Sequence, residues 1–223
     1  TTTRETITGS KMSETFYQGP TGEEKASYSL NYNYAGTTVK SRTDYEYDVQ
    51  GVLIKTTTRR GALATGSKMS ETFYIGPEGE EKANYSFNYN YAGLVVKSRT
   101  DYQYAADDSL TKTTTRRGSL ATGTKMSETF YQGPAGEEKA NYSLNYNYLG
   151  TSVKSRTDYE YDAEGILIKT TTRRGELATG TKMSETFYIG PEGEEKASYS
   201  FNYNYAGSTV KSRTDYEYAA DDS

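Results

Sequence analysis

The sequence predicts an all-β protein: a tandem repeat of four-stranded antiparallel meanders, about 16 strands in all, forming one continuous sheet rolled into a shell or closed barrel. Three observations lead there. The segment Ser10-Lys11-Met12-Ser13-Glu14-Thr15-Phe16-Tyr17 returns at Ser67, Thr124 and Thr181, a step of 57 residues with no insertion or deletion from Gly9 onward. Within each repeat, large side chains alternate with polar ones at a period of two, the signature of strands rather than helices. Gly, Pro and Asp clusters separate these runs at short intervals, as turns do.

The repeat units are residues 10–66, 67–123, 124–180 and 181–223, and a strand at residues 1–4 is placed to complete the last of them. Residues 1–223 thus read as a single repeat array. The 24 Tyr occupy six positions of the unit (17, 28, 32, 34, 45 and 47 in the first copy), and all 4 Pro and all 4 Met occupy one position each. A longer period lies over the first. Copies one and three share Gln18/Gln132, Leu30/Leu144 and turns ending in Gly51/Gly165; copies two and four carry Ile75/Ile189, Phe87/Phe201 and Ala-Ala-Asp-Asp-Ser at 105–109 and 219–223. The full unit is 114 residues, used twice.

Taking the second copy as the example, Lys68 to Tyr74 forms the first strand. Gly76-Pro77-Glu78-Gly79 follows, placing Pro where a type I or II turn uses its fixed φ. The second strand runs to Tyr91, with Tyr85, Phe87, Tyr89 and Tyr91 on one face and Asn84, Ser86, Asn88 and Asn90 on the other. Ala92-Gly93 is then a two-residue hairpin connection. Pairing Tyr91 with Leu94 places Val96, Ser98, Thr100, Tyr102 and Tyr104 on the aromatic face and Val95, Lys97, Arg99, Asp101 and Gln103 with the Asn/Ser row. Asp108 stands where Gly51 stands in the first copy, because Asp tolerates the left-handed region; Asp222 is its counterpart in the fourth. The Leu53-to-Arg59 run is the fourth strand, and Arg60 to Gly66 leads into the next copy. For the first strand, a bulge at Gly76 or Gly79 is expected to bring Met69 and Phe73 onto the aromatic side, since leaving both exposed in every copy costs more. The six Tyr positions then form the buried side of the sheet.

The segment Asp44-Tyr45-Glu46-Tyr47-Asp48-Val49-Gln50-Gly51-Val52-Leu53, repeated from Asp158, resembles the YD repeats of Rhs and insecticidal-toxin proteins, whose pattern is Tyr-x-Tyr-Asp-x-x-Gly-x-Leu. Ala105 and Ala219 stand in place of the Asp in the other two copies. The resemblance implies hairpins that build one sheet coiled into a hollow shell, a scaffold rather than an enzyme. The Tyr-Asn alternation is also similar to cell-wall or glucan-binding repeats, although those carry Trp and a shorter period.

Composition narrows the function. With no Cys, no His and no Trp there is no disulfide framework, no usual zinc or haem site and no Ser-His or Cys-His dyad. Asp and Glu remain available for acid–base chemistry, but each occurs in several near-identical settings, whereas an active site breaks the symmetry of its scaffold. No catalytic residue, metal or cofactor is expected. The 26 basic and 30 acidic residues give a net charge of −4, with both signs spread along the chain and no excess for nucleic acid. No apolar run is long enough for a transmembrane helix, and a pore-forming membrane β-barrel is disfavoured because faces such as Val96-Ser98-Thr100-Tyr102 lack an apolar band.

The expectation is a non-enzymatic structural segment of a large surface or secreted protein, its partners being neighbouring repeats. The alternative is a glycan- or protein-binding module. Its candidate face is Asn31, Asn33, Lys40 and Arg42 with their copies Asn88, Asn90, Lys97, Arg99; Asn145, Asn147, Lys154, Arg156; and Asn202, Asn204, Lys211, Arg213. Against it, Tyr and Asn are expected on opposite faces, where they cannot grip one sugar together.

Overall fold

A computed structural model of the chain describes residues 2–4 and 9–218. The Ala-Ala-Asp-Asp-Ser turn at 219–223, with Asp222, lies outside the described residues. All regular structure among them is β-strand: β1 Thr2–Arg4, β2 Lys11–Gln18, β3 Lys25–Tyr32, β4 Val39–Tyr47, β5 Leu53–Arg60, β6 Lys68–Ile75, β7 Lys82–Tyr89, β8 Val96–Tyr104, β9 Leu110–Arg117, β10 Lys125–Gln132, β11 Lys139–Tyr146, β12 Val153–Tyr161, β13 Leu167–Arg174, β14 Lys182–Ile189, β15 Lys196–Tyr203 and β16 Val210–Asp215. They form one antiparallel sheet whose strand order is the chain order. Among the described residues β1 bonds only β2 and β16 only β15, so the sheet is open rather than closed into a barrel. The chain divides into two compact units, residues 1–102 with 117–123 and residues 103–116 with 124–223, close to the boundary between the two 114-residue super-repeats.

Within each unit, strands pack only on their ladder neighbours. No second layer covers either face, and there is no aliphatic core: Leu144, at 4% exposure, is the only fully buried hydrophobic residue among those described. The buried Tyr side expected from the sequence does not exist. The most deeply buried side chains are instead Thr57 at 2% and Thr171 at 1%, short residues each set between an Asp and a Glu on the flanking strands, Asp44 with Glu71 and Asp158 with Glu185.

Register departs from the predicted one most after β7. The connection after β7 is not the two-residue Ala92-Gly93 turn. It is the loop 90–95, closed by Asn90 N–H donating to Val95 O at 2.8 Å and Gly93 N–H to Asn90 O at 2.9 Å. The Asn90 side-chain carbonyl also accepts from the backbone of Leu94 at 3.0 Å and Val95 at 3.2 Å. Tyr89 then pairs with Val96, but the next pair is Asn88 with Ser98. Lys97 is the extra residue of a β-bulge, and every pairing beyond it slips by one. Arg99 lies opposite Phe87 and Asp101 opposite Tyr85, while Ser98 and Thr100 join Asn88 and Ser86. The expected sorting of β8 is inverted.

The bulge expected near Gly76 or Gly79 exists, but lies in β7 at Asn84, between the pairs Phe73–Tyr85 and Tyr74–Ala83. Phe73 does share the face of Tyr85. The methionines gain less: Met69 is skipped by a further bulge, and Met12 and Met126 are 54% and 38% exposed. Pro77 occupies the first turn position rather than the second, because its carbonyl accepts from Glu80 N–H at 3.1 Å. Gly79, at φ +83°, takes the third. Asp108 has φ +65°, in the left-handed region that its counterpart Gly51 occupies at +87°.

Loops at the β7–β8 end press on the chain beneath them. A Cβ on Gly93 (φ +74°) would lie 2.4 Å from Lys68 N, whereas a Cβ on Gly79 would meet nothing within 4 Å. Gly93→Ala therefore combines left-handed strain with a backbone clash. It is expected to lower stability by at least ~2 kcal/mol, against ~1 kcal/mol for Gly79→Ala, which bears the strain alone. Urea unfolding of the two variants measures the difference; equal losses would refute the close approach.

Candidate functional site

Pairing across the strands sorts the side chains onto two unlike faces. The first is aromatic and charged. Phe73 stacks on Tyr85 with ring centroids 4.6 Å apart and planes 18° from parallel, and Arg99 lies over the same Tyr ring at 4.0 Å. Arg99 Nε donates to Asp101 at 2.7 Å. The group recurs as Phe16, Tyr28, Arg42 and Asp44, as Phe130, Tyr142, Arg156 and Asp158, and as Phe187, Tyr199, Arg213 and Asp215. Beside it sits a second cluster. Glu71, 7% exposed, accepts from Lys68 at 2.8 Å and from the Tyr89 hydroxyl, while Lys68 Nζ lies 5.2 Å from the Tyr89 ring.

Burial alone would raise the Glu71 carboxyl, but hydrogen bonds from Lys68 and Tyr89, with the charges of Lys68 and Lys55, outweigh it and hold the group below its ordinary 4.5. Burial, and then the hydrogen bond and negative charge of Glu71, push Tyr89 from 10.0 up to about 12. Glu128 and Tyr146 shift in the same directions. These groups are tuned to stay charged and neutral respectively, which suits structure and offers no acid or base near pH 7.

The second face is rich in hydroxyls and amides, with Arg60 and Arg174 at its end beside Ser41 and Ser155. Thr43 and Thr58 meet at 3.0 Å, and Asn88 donates to Ser98 at 3.4 Å. On it Tyr45 reaches Ser29 at 3.4 Å, Tyr74 reaches Thr56 at 3.3 Å and Tyr102 reaches Ser86 at 3.4 Å. In the second unit Tyr131, Tyr159, Tyr188 and Tyr216 do the same to Thr113, Ser143, Thr170 and Ser200. Each hydroxyl is bonded on the preceding strand, about 4.8 Å away, so the rings lie along the sheet instead of standing off it.

The candidate residues are therefore not one surface. Asn31, Asn88, Asn145 and Asn202 are exposed on the hydroxyl face. Asn33, Asn90, Asn147 and Asn204 close loops with their side-chain carbonyls. Lys40, Lys97, Lys154 and Lys211 are exposed at the bulges, and Arg42, Arg99, Arg156 and Arg213 belong to the stacks on the opposite face. Tyr74 and Tyr102 share a face with Asn88, contrary to the expected separation.

Each unit also has two unlike rims, which reading charge along the chain missed. Because alternate strands reverse, the loops after β3, β5 and β7 gather at one end of the first unit and the turns after β2, β4 and β6 at the other. From Arg59 to Lys68, and from Asn88 to Arg99, there are five basic residues and no acidic one. The opposite rim carries Glu23, Glu24, Asp48, Glu78, Glu80 and Glu81. There Lys25 Nζ donates to Gly51 O at 2.5 Å and pairs with Glu78; Lys139 does so to Gly165 O at 2.6 Å and to Glu192 at 2.5 Å. An open cleft of about 890 Å³ surrounds Lys25, and one of about 500 Å³ surrounds Lys139. Among the described residues no group of three or more Asp or Glu is arranged to hold a metal ion.

No protein family and no curated protein matches the chain. Among solved structures it is similar to a chain of a Photorhabdus luminescens Tc holotoxin pore (12% identity, TM-score 0.32, covering 89% of this chain and 13% of that one). A TcdB2-TccC3 structure gives 17% identity and a TM-score of 0.32, covering 94% and 12%. A porin-like protein from Bacteroides uniformis gives 11% and 0.20, covering 70% and 87%. The chain spans only about an eighth of the two toxin chains. Overlaps this loose carry no argument about function.

Linked titration gives a test of the Glu71 cluster. The lowered carboxyl contributes stability above pH 4.5 that is lost as pH falls through its folded value; the raised phenol contributes stability below pH 10 that is lost as pH rises through about 12. Stability of the chain is expected to plateau between these limits, and Tyr89→Phe to weaken the alkaline loss. Guanidinium melts across that range check it, and a profile unchanged by Tyr89→Phe would contradict the assignment.

Proposed function

We propose that this chain is a non-enzymatic structural scaffold, a repeat segment of a larger surface or secreted protein, whose sheet coils into a shell. The observation that carries this is the recurrence of the same cross-strand lattice in all four copies, in which Phe, Tyr, Arg and Asp engage one another across the ladder. Register adds a second support. Register partners lead from Thr43 through Thr58, Ser70 and Asn88 to Ser98, two residues short of Thr100, the counterpart of Thr43. The second unit repeats this from Thr157 to Ser212, two short of Thr214. A constant stagger is what a tilted, coiling sheet requires. The YD resemblance agrees locally, because Asp48 caps its turn by accepting from Gln50 and Val52 N–H, both at 2.9 Å. Small-angle scattering of the full chain tests the reading. Sixteen strands laid flat span roughly 75 Å at about 4.8 Å each, so a coiled sheet gives a shorter maximum dimension with a depleted centre. A ribbon profile would reject the shell.

A second reading, binding of a neutral glycan, is favoured by the Tyr rings laid flat beside Asn and Ser on the hydroxyl face. Tyr74 and Tyr102, level with one another across β7, are about 9.6 Å apart, two strand steps, a spacing that suits alternate sugars of an extended β-linked chain. Screening the folded protein on an array of neutral polysaccharides is expected to show binding that Tyr74→Ser with Tyr102→Ser reduces roughly tenfold, the loss of one or two ring contacts; absence of any binding would dismiss it.

A further inference from the structure

The geometry points to a further site: the basic rim of each unit is a docking surface for an anionic lipid bilayer, which the protein meets edge-on without crossing it. In the first unit the loop tips at this rim present Tyr34 (63% exposed), Leu63 (69%), Tyr91 (81%), Leu94 (83%), Val95 (59%) and Leu120 (67%); in the second, Tyr148, Leu149, Leu177 and Tyr205 are 69 to 82% exposed. Single exposed apolar residues need no explanation, but here they occupy successive loops at one end of the strands. They are also held in place. Gly61 N–H donates to Lys40 O and Gly175 N–H to Lys154 O, both at 3.0 Å, so these loops are tied to the hairpin that precedes them.

Charge selects the occupant. The segments 31–42, 59–68, 88–99 and 145–156 contain no acidic residue and 173–182 contains one, Glu176, while Lys40, Lys97 and Lys154 are exposed among the apolar tips. Arg60 lies 4.3 Å from the Tyr91 ring and Arg174 4.4 Å from the Tyr205 ring, placing each guanidinium beside an exposed phenol. Tyr and Leu at the tips with Lys and Arg just behind is the arrangement that an acyl–headgroup boundary accommodates: apolar tips below the phosphates, cations among them. A soluble polyanion satisfies the cations but not the Leu and Val tips. The acidic rim of a second copy offers carboxylates, but the apolar residues exposed there, Tyr17, Val49 and Ile75 in the first unit, are interleaved with Glu23, Glu24, Asp48 and Glu78, so it has no acid-free apolar row to receive the tips.

Sedimentation of the full chain with phosphatidylcholine vesicles, with and without phosphatidylserine, tests this. Expected are binding to the anionic vesicles only, its loss when NaCl rises from about 0.1 M to about 1 M and the screening length falls from about 10 Å to about 3 Å, and at least a roughly tenfold loss in the Lys40→Glu, Lys97→Glu, Lys154→Glu, Lys211→Glu variant. The Leu63→Ser, Leu120→Ser, Leu177→Ser variant is expected to bind more weakly with an unchanged salt dependence, and supplies the test should the first variant fail to fold by circular dichroism. Equal binding to neutral vesicles, wild-type binding by both variants, sedimentation without vesicles, or retention on heparin without vesicle binding would each overturn the inference, the last two in favour of self-association and of a soluble polyanion.

Discussion

A Tyr ring held between a Phe on one neighbouring strand and an Arg on the other is the interaction on which the rest of this structure depends. A sheet with water on both faces cannot use a core, so its strands must hold one another sideways. The Phe–Tyr–Arg–Asp group joins three strands at once, and it does so in each copy. One cross-strand aromatic pair is worth about 0.2–1 kcal/mol and one exposed cation–π contact about 0.5–1 kcal/mol. Neither would order a hairpin alone; a lattice of them along the ladder, each fixing the register of the next, is the available substitute for a second layer. Ion pairs contribute less, since exposed ones are worth about 0–1 kcal/mol. Here they set which rotamer the Arg adopts over the ring.

The turns follow from this constraint. For Arg99 to reach Tyr85 the β7–β8 register must slip by one residue, which requires the bulge at Lys97, which in turn requires a longer loop than Ala92-Gly93 alone. Asn90 makes that loop by satisfying two backbone N–H groups with one side-chain oxygen. The two-copy period has a comparable origin. Glu78 and Glu192 occur only in copies two and four, and each meets the Lys of the preceding copy. The corresponding turn residue of the third copy is Ala135. Phe87 and Phe201 likewise add an edge contact to Phe73 at 5.7 Å and to Phe187 at 6.0 Å, where Leu30 and Leu144 pack in the other copies.

Much of the fold was legible in the sequence because repetition and period-two alternation are local properties. The four strands per copy, the left-handed Asp108 and the placement of Phe73 beside Tyr85 all followed from spacing and backbone chemistry. Face assignment failed in β8, for a reason intrinsic to strands: one bulged residue inverts every side chain beyond it, and nothing in Val96-Lys97-Ser98 marks the bulge. The candidate face broke up for the same reason. The two rims were hidden because charge was counted along the chain, whereas antiparallel strands regroup it by end; reversing alternate segments would have shown it.

Tyrosine, rather than Phe or Trp, dominates such a sheet because a ring that ends in a hydroxyl can be fixed in place by a bond to the adjacent strand. On the aromatic–charged face the Tyr89 hydroxyl donates to Glu71, and on the other face Tyr102 bonds Ser86. Among the described copies Tyr161 donates to Ala140 O at 2.9 Å and Tyr218 to Ala197 O at 3.0 Å. Phe appears only where a ring is stacked on or edged against another ring. An unanchored ring on a wet face would swing away and leave the strand beneath it unroofed. A hydroxyl tied to the next strand turns the same ring into a lateral strut, and the sheet is built from repeats of that strut.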